Sequence, residues 1–159
     1  MADAPLTLTL ASPEATARLA AALGARLEPG DALLLAGPVG AGKTHFCRQL
    51  IRPLLLQDED IPSPTFTLVQ TYATTRGALW HVDLYRLGDA GELAELGLDE
   101  AFDTAICLVE WPDRLGPSAP PDALSVTLEP DEALDETRRI TFNWTDPKWA
   151  HRLDFPQDD

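Results

Sequence analysis

The sequence predicts an α/β fold with three layers, in which a mixed sheet lies between helices. The centre of this sheet is expected to be parallel, because the runs 32–36 and 105–109 are short and wholly apolar, as buried parallel strands are. Antiparallel strands are expected at its flanks, because the β-type runs 67–73 and 78–84 are close enough in sequence to form a hairpin. A glycine-rich turn follows residue 36 and leads into residues at helical spacing, which predicts a helix directly after a central strand.

The chain begins with a predicted strand and a predicted helix. Residues 6–10 alternate between apolar and polar, which is typical of a half-buried strand. Ser12 and Pro13 then provide an N-cap and a proline at the first helical position. Residues 28–31 turn the chain into the first central strand. The apolar face of the helix consists of Ala15, Leu19, Ala22 and Leu23.

Prolines limit the elements that follow the glycine-rich turn. The helix after this turn is predicted to end near Leu56, although Pro53 requires an early kink or stop. Two prolines in residues 61–67 exclude a helix and favour an extended, semi-rigid segment before the hairpin. Residues 91–102 mix leucines with acidic residues and are predicted to form one or two short helices.

The last strands are predicted to close the sheet. The apolar run 105–109 ends in Glu110, which places a carboxylate at the exposed end of a buried strand. Residues 116–121 have the composition of a loop. Beyond them, residues 124–128 and 138–142 are expected to pair as antiparallel strands.

Residues 37–44, Gly-Pro-Val-Gly-Ala-Gly-Lys-Thr, match the spacing of a phosphate-binding loop and predict a bound nucleoside triphosphate. Glycines let the backbone N–H groups converge on phosphate oxygens. Lys43 is then expected to meet the β- and γ-phosphates, and Thr44 to offer its hydroxyl to Mg²⁺. The nucleotide contacts of this loop are expected from Pro38, Val39, Gly40, Ala41, Gly42, Lys43, Thr44 and His45.

The length of the chain fits one domain. Its 159 residues, 45% of them hydrophobic, are enough to bury a core. Residues 1–144 are expected to form a single P-loop ATPase domain. Residues 145–159 are polar and include proline, so we expect a weakly ordered tail unless Trp149 and Phe155 anchor it.

Charge argues against direct binding of nucleic acid. The net charge is −14, and only two of the twelve basic residues are lysines. A protein that neutralises phosphates needs a basic face, which this composition does not supply. Acidic residues concentrate in 58–60, 89–103 and 122–136, where they form either a solvated surface or a docking surface for a basic partner.

The remaining composition favours a cytoplasmic protein without a structural metal. No apolar run approaches the roughly 20 residues of a membrane-spanning helix, and the N-terminus does not have the pattern of a signal peptide. Cys47 and Cys107 are expected to be small buried hydrophobic residues. The histidines His45, His81 and His151 show no metal-ligand spacing with one another or with the cysteines.

A phosphate-binding loop needs an acidic residue for Mg²⁺ and a group that orients the attacking water or hydroxyl. Glu110 ends the predicted apolar strand, and Asp83 ends the second strand of the predicted hairpin. Both are candidates for these two catalytic roles beside Lys43, and the sequence leaves open which serves which. Thr65 is a third candidate, because a threonine downstream of such a loop can sense the γ-phosphate and Mg²⁺. Trp111 follows Glu110 directly, so its indole is expected to lie beside the nucleotide.

Four ordered blocks resemble one family, the bacterial TsaE (also called YjeE) ATPases of tRNA threonylcarbamoyladenosine synthesis. They look like that family's phosphate loop, switch segment, H-x-D-x-Y-R box and Walker B-like box, and they occupy residues 40–44, 63–69, 81–86 and 109–112. Two departures are His45, where a second threonine is common, and Pro62 before the switch segment. Pro62 falls on no expected ligand, and His45 stays among the expected nucleotide contacts of the loop.

The resemblance implies a Mg²⁺-dependent ATPase that works with two partner proteins, TsaD and TsaB. In the family, this complex attaches threonylcarbamoyl to N6 of adenosine 37 in tRNAs, and the transfer belongs to TsaD. The tRNA is then met only through the complex, in agreement with the acidic charge. The resemblance does not say how hydrolysis is coupled to the modification.

Three other functions compete with this interpretation. A small-molecule kinase shares the loop but ordinarily adds an arginine-bearing lid, and only Arg86 and Arg114 lie near the motif blocks. A GTPase lacks support because neither lysine belongs to an N-K-x-D box. A nucleotide-gated interaction module that does not hydrolyse its nucleotide is the third.

Overall fold

The computed structural model describes residues 3–88 and 90–155. The strands within these residues form one seven-stranded sheet in the order β1-β7-β6-β2-β5-β4-β3. They are β1 (Leu6–Leu10), β2 (Ala32–Ala36), β3 (Val69–Thr74), β4 (Gly77–Asp83), β5 (Ile106–Glu110), β6 (Leu124–Pro130) and β7 (Arg138–Asn143). Strands β6, β2, β5 and β4 run parallel to one another, whereas β7, β1 and β3 pair antiparallel with their neighbours. The predicted parallel centre with antiparallel flanks is confirmed.

Helices cover both faces of this sheet. They are α1 (Pro13–Gly24), α2 (Lys43–Ile51), α3 (Ala90–Glu95), α4 (Leu98–Thr104) and α5 (Lys148–Arg152), with 3-10 helices over Arg52–Leu54 and Pro112–Ser118. Residues of α1 and α2 contribute to one core cluster, and residues of α4 to a second. Alternate residues of β5 belong to different clusters, with Leu108 in the first and Val109 in the second. The central strand is therefore buried on both faces, as its apolar sequence predicts.

The first helix begins where the sequence places it. The Ser12 side chain accepts a hydrogen bond of 3.1 Å from the backbone N–H of Ala15, and Pro13 occupies the first turn. This bond satisfies one of the N–H groups that a helix leaves unpaired at its start.

Three predicted boundaries differ from the structure. Helix α2 ends at Ile51, well before Leu56, because Pro53 lies in a tighter 3-10 turn. Residues 64–67, expected to be extended, form a turn that a 2.7 Å hydrogen bond from the Leu68 N–H to the Pro64 carbonyl closes. Two short 3-10 turns, separated by a kink at Gly116, occupy Pro112–Ser118, so only the first part of the segment 116–121, which was expected to be a loop, has helical turns.

Both cysteines and most acidic residues behave as expected. Cys47 and Cys107 are buried free thiols, as predicted. Burial raises the pKa of Cys107 to about 12, so this thiol stays protonated at neutral pH. The acidic residues of 58–60 and 131–136 are exposed, which agrees with a solvated surface. Asp89, at the start of another acidic stretch, lies outside the described residues.

The C-terminal segment packs against the body of the domain. Helix α5 carries Trp149, which is fully buried and donates its indole N–H to the Asp122 carbonyl at 2.7 Å. Phe155 is partly buried against the first core cluster. The two aromatic residues therefore anchor the segment through residue 155, and residues 156–159 lie outside the described part of the chain.

A buried carboxylate strengthens this attachment. Asp31, at the turn before β2, lies 3.0 Å from the Lys148 ammonium and 3.3 Å from the Arg152 guanidinium. Burial alone would lower the pKa of Lys148, but its hydrogen bonds to Asp31 and Asp122 and the charges of these groups raise it above its ordinary value. The helix is thus held by charge pairs as well as by apolar packing.

No helix in the part of the chain described here has the length and apolar character needed to cross a membrane.

Candidate nucleotide-binding site

The glycine-rich loop connects the carboxyl end of β2 to the first residue of α2, as the sequence predicts. Gly37 has a positive φ, and a Cβ at this position would lie 2.3 Å from the carbonyl oxygen of Leu128 on β6. Gly42 also has a positive φ and precedes α2 without any side-chain cap. The first N–H groups of α2 are therefore not bonded by a capping side chain, which is the arrangement that helix N-termini use to bind phosphate.

Lys43 is folded back against its own loop. Its ammonium donates hydrogen bonds to the carbonyl oxygens of Gly37 and Pro38 and lies 4.1 Å from the centre of the Trp111 ring. The residue is only 5% exposed. Burial lowers the pKa of Lys43, and the negative charges of Glu110 and Asp83 act in the opposite direction. The ammonium is thus held beside the two carboxylates by contacts that a phosphate can replace.

The two candidate carboxylates lie side by side at the carboxyl ends of neighbouring strands. Asp83 is the last residue of β4 and Glu110 the last residue of β5, and the parallel register pairs them directly. Both residues are buried, at 3% and 2% exposure. Strands at the centre of a parallel sheet therefore bring together two acidic residues that are far apart in sequence.

A threonine hydroxyl donates to each of these carboxylates. The Thr44 hydroxyl donates to Glu110 Oε1 at 2.9 Å, and the Thr65 hydroxyl donates to Asp83 Oδ2 at 3.0 Å. The other oxygen of Asp83 accepts from the backbone N–H of Tyr85 at 2.9 Å. The loop thus contacts Glu110, whereas the segment after the loop helix contacts Asp83.

These groups surround a cavity of about 390 Å³. Its lining consists of Val39, Gly40, Gly42, Lys43, Thr44, His45, Thr65, Asp83, Tyr85, Glu110 and Trp111. Two predicted nucleotide contacts, Pro38 and Ala41, are not part of this lining, since Pro38 accepts from Lys43 and the Ala41 side chain is buried in the first core cluster. His45 lines the cavity while its Nε2 lies 3.3 Å from the carbonyl oxygen of Pro13 on α1.

The sequence analysis missed three residues that shape the site. His81 lies 2.7 Å from Glu110 through its Nε2 atom. Arg138, at the start of β7, donates to the Ala41 carbonyl at 3.2 Å and so fixes the loop from the other end of the chain. Tyr85 packs its ring 4.8 Å from that of Trp111. His81 and Tyr85 belong to the H-x-D-x-Y-R block, so the block itself was the available signal, whereas nothing local marks Arg138.

Cys47 also lies next to Glu110 and His81. One potential ligand atom from each of these three buried residues falls within 4.8 Å of the other two. Sequence spacing did not reveal this cluster, because its members come from α2, β4 and β5. Burial, together with the charges of Glu110 and Asp83, raises the pKa of Cys47 well above its ordinary value, so its thiol is neutral.

The donor groups of the site fit both Mg²⁺ and a nucleotide. The adjacent oxygens of Thr44 and Glu110 are the hard ligands that Mg²⁺ prefers. The uncapped start of α2 and the Lys43 ammonium suit phosphate oxygens. The donor groups of this cavity are therefore compatible with a cation beside a phosphate.

A larger cavity, of about 810 Å³, lies at the amino ends of the parallel strands, opposite the glycine-rich loop. Asp31, Asp103 and Asp122 line it, and each precedes the start of a parallel strand. Open α/β sheets bind ligands at the carboxyl ends of their strands, where the glycine-rich loop is. The smaller cavity is therefore the candidate nucleotide-binding site.

The sheet order, the glycine-rich loop and the paired strand-end carboxylates define a P-loop NTPase-like α/β fold. The crystal structure of Bacillus subtilis YdiB is similar, with a TM-score of 0.75 and 29% identity over 94% of this chain and 92% of that one. The family model "Threonylcarbamoyl adenosine biosynthesis protein TsaE" matches residues 10–140.

Curated relatives agree with the family model. A tRNA threonylcarbamoyladenosine biosynthesis protein TsaE from Rickettsia felis is 39% identical over 94% of this chain and 86% of its own length. The protein of the same name from Bacillus subtilis is 38% identical over 82% of this chain and 80% of its own. The chain belongs to the TsaE family, whose members take part in tRNA threonylcarbamoyladenosine biosynthesis. The resemblance inferred from the four sequence blocks is thereby confirmed.

Proposed function

We propose that this protein is a Mg²⁺-dependent ATPase that supports turnover of the TsaD–TsaB complex during modification of N6 of adenosine 37 in tRNA. The observation that carries the proposal is the convergence of Lys43, Thr44, Asp83 and Glu110 on one cavity at the carboxyl end of the parallel strands. These are the groups that bind phosphate, hold a cation and orient a nucleophile in P-loop hydrolases.

The Mg²⁺ would be held by Thr44 and Glu110, whose oxygens are already adjacent. When bound, the cation neutralises charge on the phosphates and polarises the bond that breaks. Lys43 then binds the β- and γ-phosphates and gives up its hydrogen bonds to the carbonyls of Gly37 and Pro38. Asp83 is nearer to the switch segment through Thr65, so we assign it to orienting the attacking water.

The tRNA is met through the partners in this proposal. A chain with a net charge of −14 has little affinity for a polyanion, so the complex holds the RNA. The proposal also places the protein in the cytoplasm, where free thiols such as Cys47 and Cys107 stay reduced.

The test is to incubate the chain with ATP and Mg²⁺, alone and with its cognate TsaD and TsaB, and to measure free phosphate and ADP. The proposal requires equal amounts of the two products. Phosphate that appears on a small molecule instead would establish a kinase. Nucleotide binding without any product, even with the partners, would establish a nucleotide-gated interaction module.

The two carboxylates are expected to have separable roles. Glu110→Gln should raise the Mg²⁺ concentration needed for half-maximal activity, because an amide is a weaker ligand for this cation than a carboxylate. Asp83→Asn should slow hydrolysis more than it weakens binding, because it removes the group assigned to the water. Mg²⁺ titrations of phosphate release check both variants against the parent. Superimposable titrations for the parent and Glu110→Gln would reverse or remove this assignment.

Trp111 is expected to report nucleotide binding by fluorescence. Its ring lies against the Lys43 ammonium, so movement of Lys43 toward a phosphate must change the surroundings of the indole. The backbone φ of Trp111, 59°, is unusual for a residue other than glycine. An ATP titration should change the emission of the parent, and Trp111→Phe should lose most of that change. The other tryptophans are kept, since Trp149 is fully buried and its replacement would disturb the core. Equal emission changes in the two proteins would place the nucleotide elsewhere.

A further inference from the structure

We propose that His81 is a positioning residue that holds the Glu110 carboxylate in the orientation needed to bind Mg²⁺. This inference rests on the proposed ATPase function and deepens it, because it assigns a role to a residue behind the cation site. His81 touches neither the cavity nor, in the proposed function, the nucleotide, so it acts only through Glu110.

The geometry of β4 and β5 brings His81 to Glu110. His81 lies two residues before Asp83, so both side chains leave the same face of β4. Glu110 is opposite Asp83 in the neighbouring strand. The His81 ring thus reaches Glu110 from below the cavity, with 2.7 Å between Nε2 and Oε2 and with both side chains almost completely buried.

The hydrogen bonds of Glu110 show why its orientation depends on His81. Oε1 accepts from the Thr44 hydroxyl at 2.9 Å. Oε2 accepts from the same hydroxyl at 3.2 Å and lies 2.7 Å from His81 Nε2. Thr44 is itself expected to bind Mg²⁺. The Thr44 hydroxyl is a rotatable group that would also serve the cation, whereas the His81 ring is fully buried and, among the described residues, is the other side chain that contacts the Glu110 carboxylate. A fixed donor of this kind keeps one carboxylate oxygen inward and directs the other toward the loop.

The burial of the imidazole indicates that the hydrogen bond to Glu110 is the reason for a histidine at position 81. In the proposed role, Nε2 donates the hydrogen bond to the carboxylate, which the 2.7 Å contact allows. Its Nδ1 is buried and has no hydrogen-bond partner in the part of the chain that the structure describes. A buried acceptor without a partner is costly, and an apolar side chain would pack here without that cost. The contact with Glu110 is the compensating interaction.

The same three-residue cluster could instead hold a thiophilic metal through Cys47, His81 and Glu110. That arrangement would replace the 2.7 Å contact between His81 Nε2 and Glu110 Oε2, and the fully buried thiol of Cys47 would have to lose its proton. It also requires a lone pair on the imidazole, whereas in the proposed role Nε2 donates to Glu110. The hydrogen-bonded arrangement is therefore the one that the contacts favour.

The test uses Mn²⁺ as a paramagnetic probe for Mg²⁺ and a non-hydrolysable ATP analogue, so that binding is read separately from activity. His81→Gln keeps an N–H donor at about the reach of Nε2, whereas His81→Met fills similar space without a donor. His81→Asn keeps an amide but is too short to reach Glu110. His151→Gln, in an exposed position on α5, is the matched control.

We expect His81→Met and His81→Asn to weaken Mn²⁺ binding in the ternary complex by about 10- to 100-fold, the usual effect of removing a group that orients a metal ligand. His81→Gln should restore most of the affinity, and His151→Gln should match the parent. Affinity for the ATP analogue without metal should be the same in all variants. At saturating Mg²⁺, the kcat of ATP hydrolysis by His81→Met and His81→Asn should approach that of the parent, while their apparent affinity for the metal stays lower.

Parental Mn²⁺ affinity in folded His81→Met or His81→Asn would overturn the inference. A one-to-one complex with Zn²⁺ that disappears in Cys47→Ala would also overturn it, in favour of the metal cluster. If His81→Met does not fold, the comparison of His81→Gln with His81→Asn decides the question alone. A parent protein that neither binds the Mn²⁺–nucleotide complex nor hydrolyses ATP contradicts the proposed function itself, which separates that failure from failure of the role of His81.

Discussion

Addition of the cognate TsaD and TsaB proteins is expected to raise the rate of ATP hydrolysis by this chain by roughly 10³ to 10⁵, the range seen when a catalytic group is supplied to a P-loop site in trans. Among the residues that the structure describes, neither a glutamine nor an arginine lines the candidate nucleotide-binding cavity. Arg138 is occupied with loop carbonyls. The isolated chain is therefore expected to be slow.

Arg86 is the internal alternative for this missing group. Its guanidinium stacks 4.7 Å from the centre of the Phe66 ring, and Phe66 is 81% exposed in the turn after Pro64. A partner that covers Phe66 would release or redirect Arg86. Arg86→Ala should then abolish partner stimulation if Arg86 completes the site, and leave it intact if the partner supplies the group. Both outcomes require contact with the partner.

Salt dependence distinguishes an electrostatic contact from an apolar one. The exposed acidic residues would attract a basic partner. Stimulation should weaken as ionic strength rises and the screening length falls below about 8 Å. Phosphate release is measured at two ionic strengths with and without the partner pair. Rapid turnover by the isolated chain, or no stimulation by the cognate partners, would contradict this prediction and favour the kinase alternative.

Lys43→Ala is expected to lose most of the stabilisation that Mg²⁺–ATP gives to the folded protein. At about 100 times its dissociation constant, a ligand adds roughly 2.7 kcal/mol to the free energy of unfolding by mass action. The buried Lys43 ammonium lies between the loop carbonyls and the Trp111 ring, in position to meet the phosphates of a bound nucleotide. Without the Lys43 ammonium, the loop retains its backbone N–H donors but loses its positive charge.

The measurement is the thermal shift on adding ATP and Mg²⁺, taken for each protein against its own ligand-free midpoint. Lys148→Ala is the matched control, because Lys148 is the other lysine of the chain and binds Asp31 at the far edge of the sheet. It should lower the ligand-free midpoint and leave the shift unchanged. Equal shifts in Lys43→Ala and the parent would show that the nucleotide does not depend on this loop.

Local sequence patterns were sufficient for the architecture and for most of the site. The strand, loop and helix around Gly42 are contiguous in sequence, so their order and chemistry could be predicted together. Glu110 could be placed because it ends a strand whose apolar sequence marks it as central, and Asp83 because it ends the second strand of the predicted hairpin. Their direct pairing required the order of the strands, which follows from the packing of the whole sheet.

Contacts between distant segments were not predictable in the same way. Arg138 holds the loop across 97 residues, and the His81–Glu110 bond joins two neighbouring strands at a register that no sequence pattern specifies. The attachment of α5 through Trp149 depends on a pocket built by other elements, so composition alone suggested a tail. The turns at Pro53 and Pro64 differed from the predicted structure, because proline disfavours a regular α-helix without specifying which alternative the chain adopts.

The central claim is that Lys43, Thr44, Asp83 and Glu110 form one ATP-hydrolysing site, and steady-state phosphate release tests it most directly. The parent and Lys43→Ala are purified identically and compared with ATP and Mg²⁺ in the presence of TsaD and TsaB. We predict that the parent releases phosphate and ADP in equal amounts, that removal of Mg²⁺ stops this release, and that Lys43→Ala remains at background. Equal rates in the parent and Lys43→Ala, or release that continues without a divalent cation, would contradict the account.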